Sequence, residues 1–378
     1  MLNAFISAGY SFKGYIRQDI NCRVMPAAPV CVLSVLTALL VCASGLGVVA
    51  TAQNPSTREV DSAPIMIFSY FTGNGETGVY LKASRDGLVF SALNNAEPVF
   101  QPPESWPADQ RLTRDPSIIY DGTWFHMVWT TNWSGRVFGY ARSADLKSWR
   151  DVTMVQPFAA DLPEEHQPRN VWAPEIHYDP VHDDFFVVFS STTPAMLARG
   201  ARGRDTHGHN HRMYVVRTDD FVTFSPAKLF FDPGYSSIDG QLYYDRYGSP
   251  NVSDDRWIMV YKHELMPEHD GKNLRWVSMN PITGDFSDYS APIVGPGSGV
   301  NEDWVEGPTL MRNLQGMWYL YFDAFADGYY GVVRSADLKH WEDLSDALHI
   351  DVAHPRHGSF LWAPEHVVGF DMQGGSEP

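Results

Sequence analysis

The chain has 378 residues, of which 44% are hydrophobic, 13% aromatic and 19% charged; whole-chain disorder is excluded, and there is room for one large domain or two of average size. A formal charge of −17 repels phosphate backbones, so nucleic acid is set aside as a partner and polyanionic substrates are disfavoured. Twelve Trp, 18 Tyr and 21 Phe favour strands over helices, and 30 Gly with 26 Pro imply many turns.

Residues 1–52 read as a secretory signal peptide. Lys13, Arg17 and Arg23 precede an apolar run from about Ala28 to Ala52, and Ala50-Thr51-Ala52 resembles a small-residue cleavage site. The run is also long enough to be a membrane anchor, which is the competing reading. Cys22, Cys31 and Cys42 all precede Ala52, so cleavage there leaves a secreted chain, extracellular or periplasmic, without disulfides or thiol chemistry. Residues 53–62 read as a linker, 63–370 as one catalytic domain and 371–378 as a frayed tail.

From Ser84 onward a short pattern recurs: Ser or Thr, any residue, Asp, and an aromatic four places after the Asp. It appears as SRDGLVF from Ser84, SADLKSW from Ser143, TDDFVTF from Thr218 and SADLKHW from Ser335, with a degenerate copy, NPITGDF, from Asn280. Such Asp residues bond their own backbone in a turn, so Asp86, Asp145, Asp220 and Asp337 are read as structural. An apolar aromatic strand precedes each copy: PIMIFSYF, WFHMVWTT, DFFVVFSS, RWIMVYK and MWYLYFD. None alternates cleanly, which indicates burial on both faces. A third segment precedes the last four of these strands: RDPSIIYD, WAPEIHYD, IDGQLYYD and EGPTLMRN. The first strand lacks one, and HGSFLWAPEHVVGF from His357 supplies it from the chain end. These features predict an all-β, five-bladed β-propeller closed by a C-terminal strand that completes the N-terminal blade. A β-sandwich is the alternative. With the RDPS blade as the first, the second blade carries about 26 residues between Ser191 and Thr218, read as a long surface loop. His207, His209 and His211 within it lack an acidic or Cys partner at metal spacing and are read as solvated.

In a propeller the innermost strands converge on the axis. The five innermost segments carry Asp115, Glu175, Asp239, Glu306 and His357, and carboxylates crowded around one axis raise one another's pKa. Hydrolysis of a glycosidic bond wants this: one protonated carboxyl for the leaving oxygen, one carboxylate to activate water, and a third acid to tune the donor. Trp133 and Trp304 lie near inner strand ends, where rings can stack on sugar. Glu175, and Glu365 in a second WAPE, are read as structural, held by backbone or by an arginine.

The ordered set RDPS, WAPE, IDGQLYYD, EGPT and HGS resembles glycoside hydrolase family 43 over roughly residues 62–370. The resemblance implies a five-bladed propeller that cleaves α-L-arabinofuranosyl or β-D-xylosyl, possibly galactosyl, linkages of plant cell-wall polysaccharide with inversion. It implies Asp115 as general base, Asp239 as the acid that tunes and orients its partner, and Glu306 as general acid. It also implies His357 as the residue that orients the base or binds a central calcium ion through waters, and Trp172 as a structural or subsite tryptophan. No cofactor is required beyond that possible ion, and a monomer is expected. Two features depart from the family: no Arg follows the HGS segment, and no C-terminal β-sandwich is present. Fructosidases need an NDPN-like nucleophile and an acid followed by Cys, which are missing here; a fructosidase-like enzyme and a non-catalytic carbohydrate-binding propeller remain the alternatives.

Overall fold

Each of the five apolar aromatic strands is the second strand of an antiparallel sheet, and the five sheets are the blades of a propeller. The structure, a computed structural model, describes residues 64–370 except 200–203, 206, 247–253 and 314. The expected signal segment, linker and tail lie outside the described residues. Among the described residues no helix is long and apolar enough to cross a membrane.

The fifth blade holds β1 (Pro64–Phe71), β2 (Tyr80–Ser84) and β3 (Val89–Ala92). The first holds β4 (Arg114–Tyr120), β5 (Phe125–Thr130), β6 (Phe138–Ser143) and β7 (Trp149–Val155). The second holds β8 (Trp172–Asp179), β9 (Asp184–Ser191), β10 (Arg212–Thr218) and β11 (Lys228–Phe231). The third holds β12 (Ser237–Asp245), β13 (Arg256–His263), β14 (Asn273–Met279) and β15 (Phe286–Ser287), and the fourth β16 (Glu306–Arg312), β17 (Trp318–Ala324), β18 (Tyr329–Ser335) and β19 (Glu342–Asp343). The chain then returns to the fifth blade. There β20 (His349–Ile350) pairs parallel with β3 on the outer edge, and β21 (Arg356–Pro364) pairs antiparallel with β1 on the inner edge, Ile67 opposite Leu361. The ring is thus closed as expected, by a strand from the far end of the chain.

The lack of alternation has the cause inferred for it. In β1, Ile65 and Ile67 pack with Phe125, Met127 and Trp129 of the first blade, while Met66, Phe68 and Tyr70 pack with Tyr321 and Val332 of the fourth. In β9, Val187 and Phe189 face the first blade and Phe186 and Val188 the third. The period of two is intact, but both faces meet protein. The Asp turns are also as read: the Asp145 carboxylate accepts from the N–H groups of Lys147 and Ser148, and Asp86, Asp220 and Asp337 repeat the pattern.

A hydrogen bond made by the fourth residue of an inner segment or its neighbour crosses each blade boundary near the axis. Ser359 Oγ accepts from Ile118 N–H, Ser117 Oγ from Ile176 N–H, His177 Nε2 from Leu242 N–H and Gln241 Oε1 from Leu310 N–H; Thr309 Oγ1 donates to Gly358 O. Burial pushes His177 down to about 3, so its ring is neutral and can accept. Truncation after Pro355 removes β21 and opens both this circuit and the edge of β1. We expect loss of the cooperative thermal transition, measured by circular dichroism.

Candidate functional site

All five innermost strands carry the same irregularity. Where β4 should pair residue for residue with β5, Arg114 faces Thr130 and Ser117 faces Val128, so Asp115-Pro116 oppose one residue. The same bulge isolates Ala173-Pro174 in β8, Asp239-Gly240 in β12, Gly307-Pro308 in β16 and His357-Gly358 in β21. Asp115, Ala173, Asp239 and Gly307 take left-handed φ of 52°, 45°, 58° and 57°. For a non-glycine residue this costs on the order of 1–3 kcal/mol, a strain found where side chains are being aimed. A Cβ on Gly307 would lie 2.5 Å from the His357 ring, so glycine is required there for close approach as well as for φ.

The bulge sorts the expected site residues into three levels, which corrects the single ring read from the sequence. Second positions of the tetrapeptides, Asp115, Asp239 and His357, converge at the axis. His357 Nδ1 lies 3.4 Å from Asp115 Oδ1 and 3.9 Å from Asp239 Oδ2. Thr130 Oγ1 accepts from Ala173 N–H and donates to Asp115 Oδ2 at 2.7 Å, so the second blade orients that carboxylate. Asp239 Oδ2 accepts from Gly307 N–H at 3.1 Å. Burial alone would lower the pKa of His357, but the carboxylates of Asp239 and Asp115 outweigh it and raise the pKa. Burial raises Asp239, which Glu306 reinforces and His357 opposes.

Glu175, at a fourth position, lies on a deeper level. Ser117 Oγ donates to its carboxylate at 2.7 Å, and His357 Nε2 stands 4.0 Å away. Burial pushes Glu175 up to about 8. The expected backbone or arginine partner is replaced by a serine hydroxyl, whereas Glu365 does pair with an arginine, Arg85, at 2.5 and 2.8 Å.

Glu306, at a first position, stands nearest the mouth. Lys262 Nζ is 3.1 Å from one of its oxygens and Arg356 Nη2 2.6 Å from the other. Burial would raise Glu306, but Lys262 and then Arg356 outweigh it and hold the carboxyl well below the usual range. Arg356 also binds the buried Asp323 at 2.9 Å; burial and Glu306 raise Asp323. Lys262 also pairs with Glu264 at 2.9 Å, and Glu264 in turn pairs with Lys272 at 2.7 Å. The sequence reading missed Lys262, Asp323 and Arg114. Arg356 was available to it, because it fills the same tetrapeptide position as Glu306. It supplies a guanidinium from the residue before His357, where the family pattern has one after.

The three tryptophans lie at the mouth. Trp133, 47% exposed, stacks on the Arg114 guanidinium at 4.1 Å and donates to Asn74 Oδ1. Trp172 meets Trp133 edge to face at 5.4 Å and donates to its carbonyl. Trp304 is half-buried, with Lys272 Nζ 5.2 Å from its ring. Phe325, between Lys262 and Arg356, completes this rim and was not anticipated.

The donors at the axis do not fit a directly bound calcium ion. Calcium takes six to eight oxygens, and here the Asp115 and Asp239 carboxylates face the His357 ring. The hydroxyl and amide oxygens of Ser117, Gln241, Thr309 and Ser359 are committed to the inter-blade bonds.

The correction at the second blade's insertion is larger. His211 and Asp205 are buried, at 0% and 8% exposure, and only His207 of the three histidines is exposed. Asp205 stands among the histidines as the acidic partner that spacing alone did not reveal.

A closed five-blade ring with carboxylates and one imidazole at its axis defines an acid–base site of the glycosidase kind. Residues 63–363 match the model of the glycosyl hydrolase 43-related family, described as a probable glycosyl hydrolase domain, and the chain belongs to that family. It is 24% identical over 170 residues to extracellular endo-α-(1→5)-L-arabinanase 1 of Bacillus subtilis, covering 43% of this chain and 48% of that one; the match spans about half the curated relative's length. Similar solved structures include a thermostable family-43 glycoside hydrolase, with 18% identity, TM-score 0.46, and coverage of 65% of this chain and 78% of that one. Another is an endo-arabinase from Bacteroides thetaiotaomicron, with 19% identity, TM-score 0.46, and coverage of 63% and 82%.

Because Glu175 is raised, it keeps its proton in the folded state while the unfolded chain releases one. Folded stability is therefore full below about 4.5, the ordinary glutamate value, and falls as pH climbs toward about 8. Glu175→Gln removes this slope while keeping an acceptor for Ser117. Its melting temperature should exceed the parent's by a few degrees at pH 8 and match it near pH 4, read by calorimetry.

Proposed function

We propose that the protein is a secreted glycoside hydrolase that cleaves α-L-arabinofuranosyl or β-D-xylosyl linkages of plant cell-wall polysaccharide with inversion. The observation that carries this reading is the convergence of Asp115, Asp239 and His357 beneath Glu306, from four different blades, under a rim of aromatic rings. Asp115, held by Thr130 and His357, accepts the proton of the attacking water. Glu306 protonates the leaving oxygen, and inversion needs about 6.5–9.5 Å between the two carboxyl groups to admit that water. Trp133, Trp172 and Trp304 offer faces for neighbouring sugar units. Secretion is supported by the basic and apolar leader, and the Bacillus subtilis relative is named as extracellular.

In the free protein Glu306 is ionised, since Lys262 and Arg356 both face it. Burial and the Glu306 charge raise Asp239, so of these two carboxyls Asp239 has the greater proton affinity. Glu306 must therefore take up a proton as substrate enters, which an acidic medium favours.

The reaction is tested on nitrophenyl arabinofuranoside, xyloside and galactoside, with product anomers followed by NMR. Asp115→Asn and Glu306→Gln should each lower turnover by at least about 100-fold; full activity in either variant refutes its role, and no hydrolysis of any glycoside favours a carbohydrate-binding propeller. Lys262→Met removes the cation that lowers Glu306 most and so raises its pKa. Glu306 then stays protonated to higher pH, and the alkaline limb of the kcat/KM profile should move upward.

A further inference from the structure

We propose that Asp205, His209 and His211 form a binding site for one divalent transition-metal ion, zinc by preference, on the rim of the second blade. Asp205 Oδ2, His209 Nδ1 and His211 Nδ1 all lie within 4.8 Å of one another. Oδ2 is 3.2 Å from His211 Nδ1 and 3.7 Å from His209 Nδ1. Ligands about 2.0–2.2 Å from a tetrahedral zinc stand roughly 3.4 Å apart, so little movement is needed to admit the ion.

What points to a ligand is that all three atoms are shielded from solvent, that Asp205 Oδ2 is paired at hydrogen-bonding distance only with His211 Nδ1, at 3.2 Å, and that His209 Nδ1 has no hydrogen-bond partner. An orphaned imidazole nitrogen turned toward a buried Asp–His pair is costly unless something satisfies the three atoms together. The Asp205 and His211 side chains are 1% and 0% exposed. The rest of Asp205 holds the site open: its Oδ1 accepts from the N–H groups of His207 and His209, and its own N–H donates to His209 O. Oδ2 alone is left facing the two rings. One carboxylate and two imidazoles suit zinc better than calcium or magnesium, which favour oxygen.

Asn170 is the outer partner. Its Nδ2 donates to His211 Nε2 at 2.9 Å and its Oδ1 accepts from Thr192 N–H at 3.0 Å, which places the His211 proton on Nδ1 in the metal-free chain. Loading moves that proton to Nε2 and turns the Asn170 amide so that Oδ1 accepts it, giving up the Thr192 bond. The His211 and His209 rings lie 4.8 and 5.1 Å from the Trp172 ring, so an ion here would brace that indole at the mouth of the axial site.

The test is calorimetric titration of the full chain, stripped with chelator, with zinc alone, and with cobalt as an optical probe. We expect one zinc per chain lost on His209→Ala, a 10–100-fold weaker site in Asn170→Ala, and binding within twofold of the parent in His207→Ala. Cobalt in the unaltered chain should give the intense visible bands of a four-coordinate site, a readout that needs no variant. Absence of stoichiometric binding would make Asp205–His211 a plain ion pair and overturn the proposal. Equal binding by the parent and by a folded His209→Ala or His209→Gln variant would place the ion elsewhere, at the cysteines for example, and overturn it equally. None of these readouts depends on glycoside hydrolysis.

Discussion

The constraint on which the molecule turns is the cost of holding carboxylates in a place with little water. Asp115, Glu175, Asp239, Glu306 and Asp323 are withdrawn from solvent within one small volume, and isolated carboxylates there would shed their charge. Each level meets the cost differently. At the depth Glu175 keeps its proton; at the axis the His357 imidazole serves Asp115 and Asp239 together; at the mouth Lys262 and Arg356 hold Glu306 ionised. Three neighbouring acids therefore have three different proton affinities, and acid–base chemistry needs that difference.

The recurring bulge makes this sorting possible. A regular strand presents its residues to alternate faces, and its edge cannot aim a side chain down the axis. Two residues set against one, with the second position in the left-handed region in four of the five blades, turn the chain inward at the same height in each. Pro116, Pro174 and Pro308 occupy the third position in three of the five, where an N–H has no ladder partner to lose. The strain is met by the aromatic packing between blades and by the circuit of five bonds below the site.

Much of this was legible in the residues. The Asp turns and unalternating aromatic strands mark the blades because both arise from local chemistry and two-sided burial. The tetrapeptides mark the acids because the bulge requires small or cyclic residues beside them. The levels were not legible: RDPS and EGPT look alike in print, yet Asp115 is second and Glu306 first, and only the ladder count separates them. Lys262 reads as the polar end of a strand, and Asp323 as the fraying end of MWYLYFD; both become charge partners because blades three, four and five meet there. Asp205 escaped notice because its partnership with His209 and His211 arises from how a hydrophilic insertion folds back, which no periodicity reports.

The inner strand of the fifth blade has an electrostatic consequence. It carries His357 and Arg356, the two residues that balance the axis and the mouth, and it follows the strands of the other four blades in chain order. Without it Asp115 and Asp239 lack the imidazole they share, Glu306 lacks one of its two cations and β1 lacks its inner partner. The docking event that completes the ring is therefore the same one that completes the charge balance at the axis and the mouth.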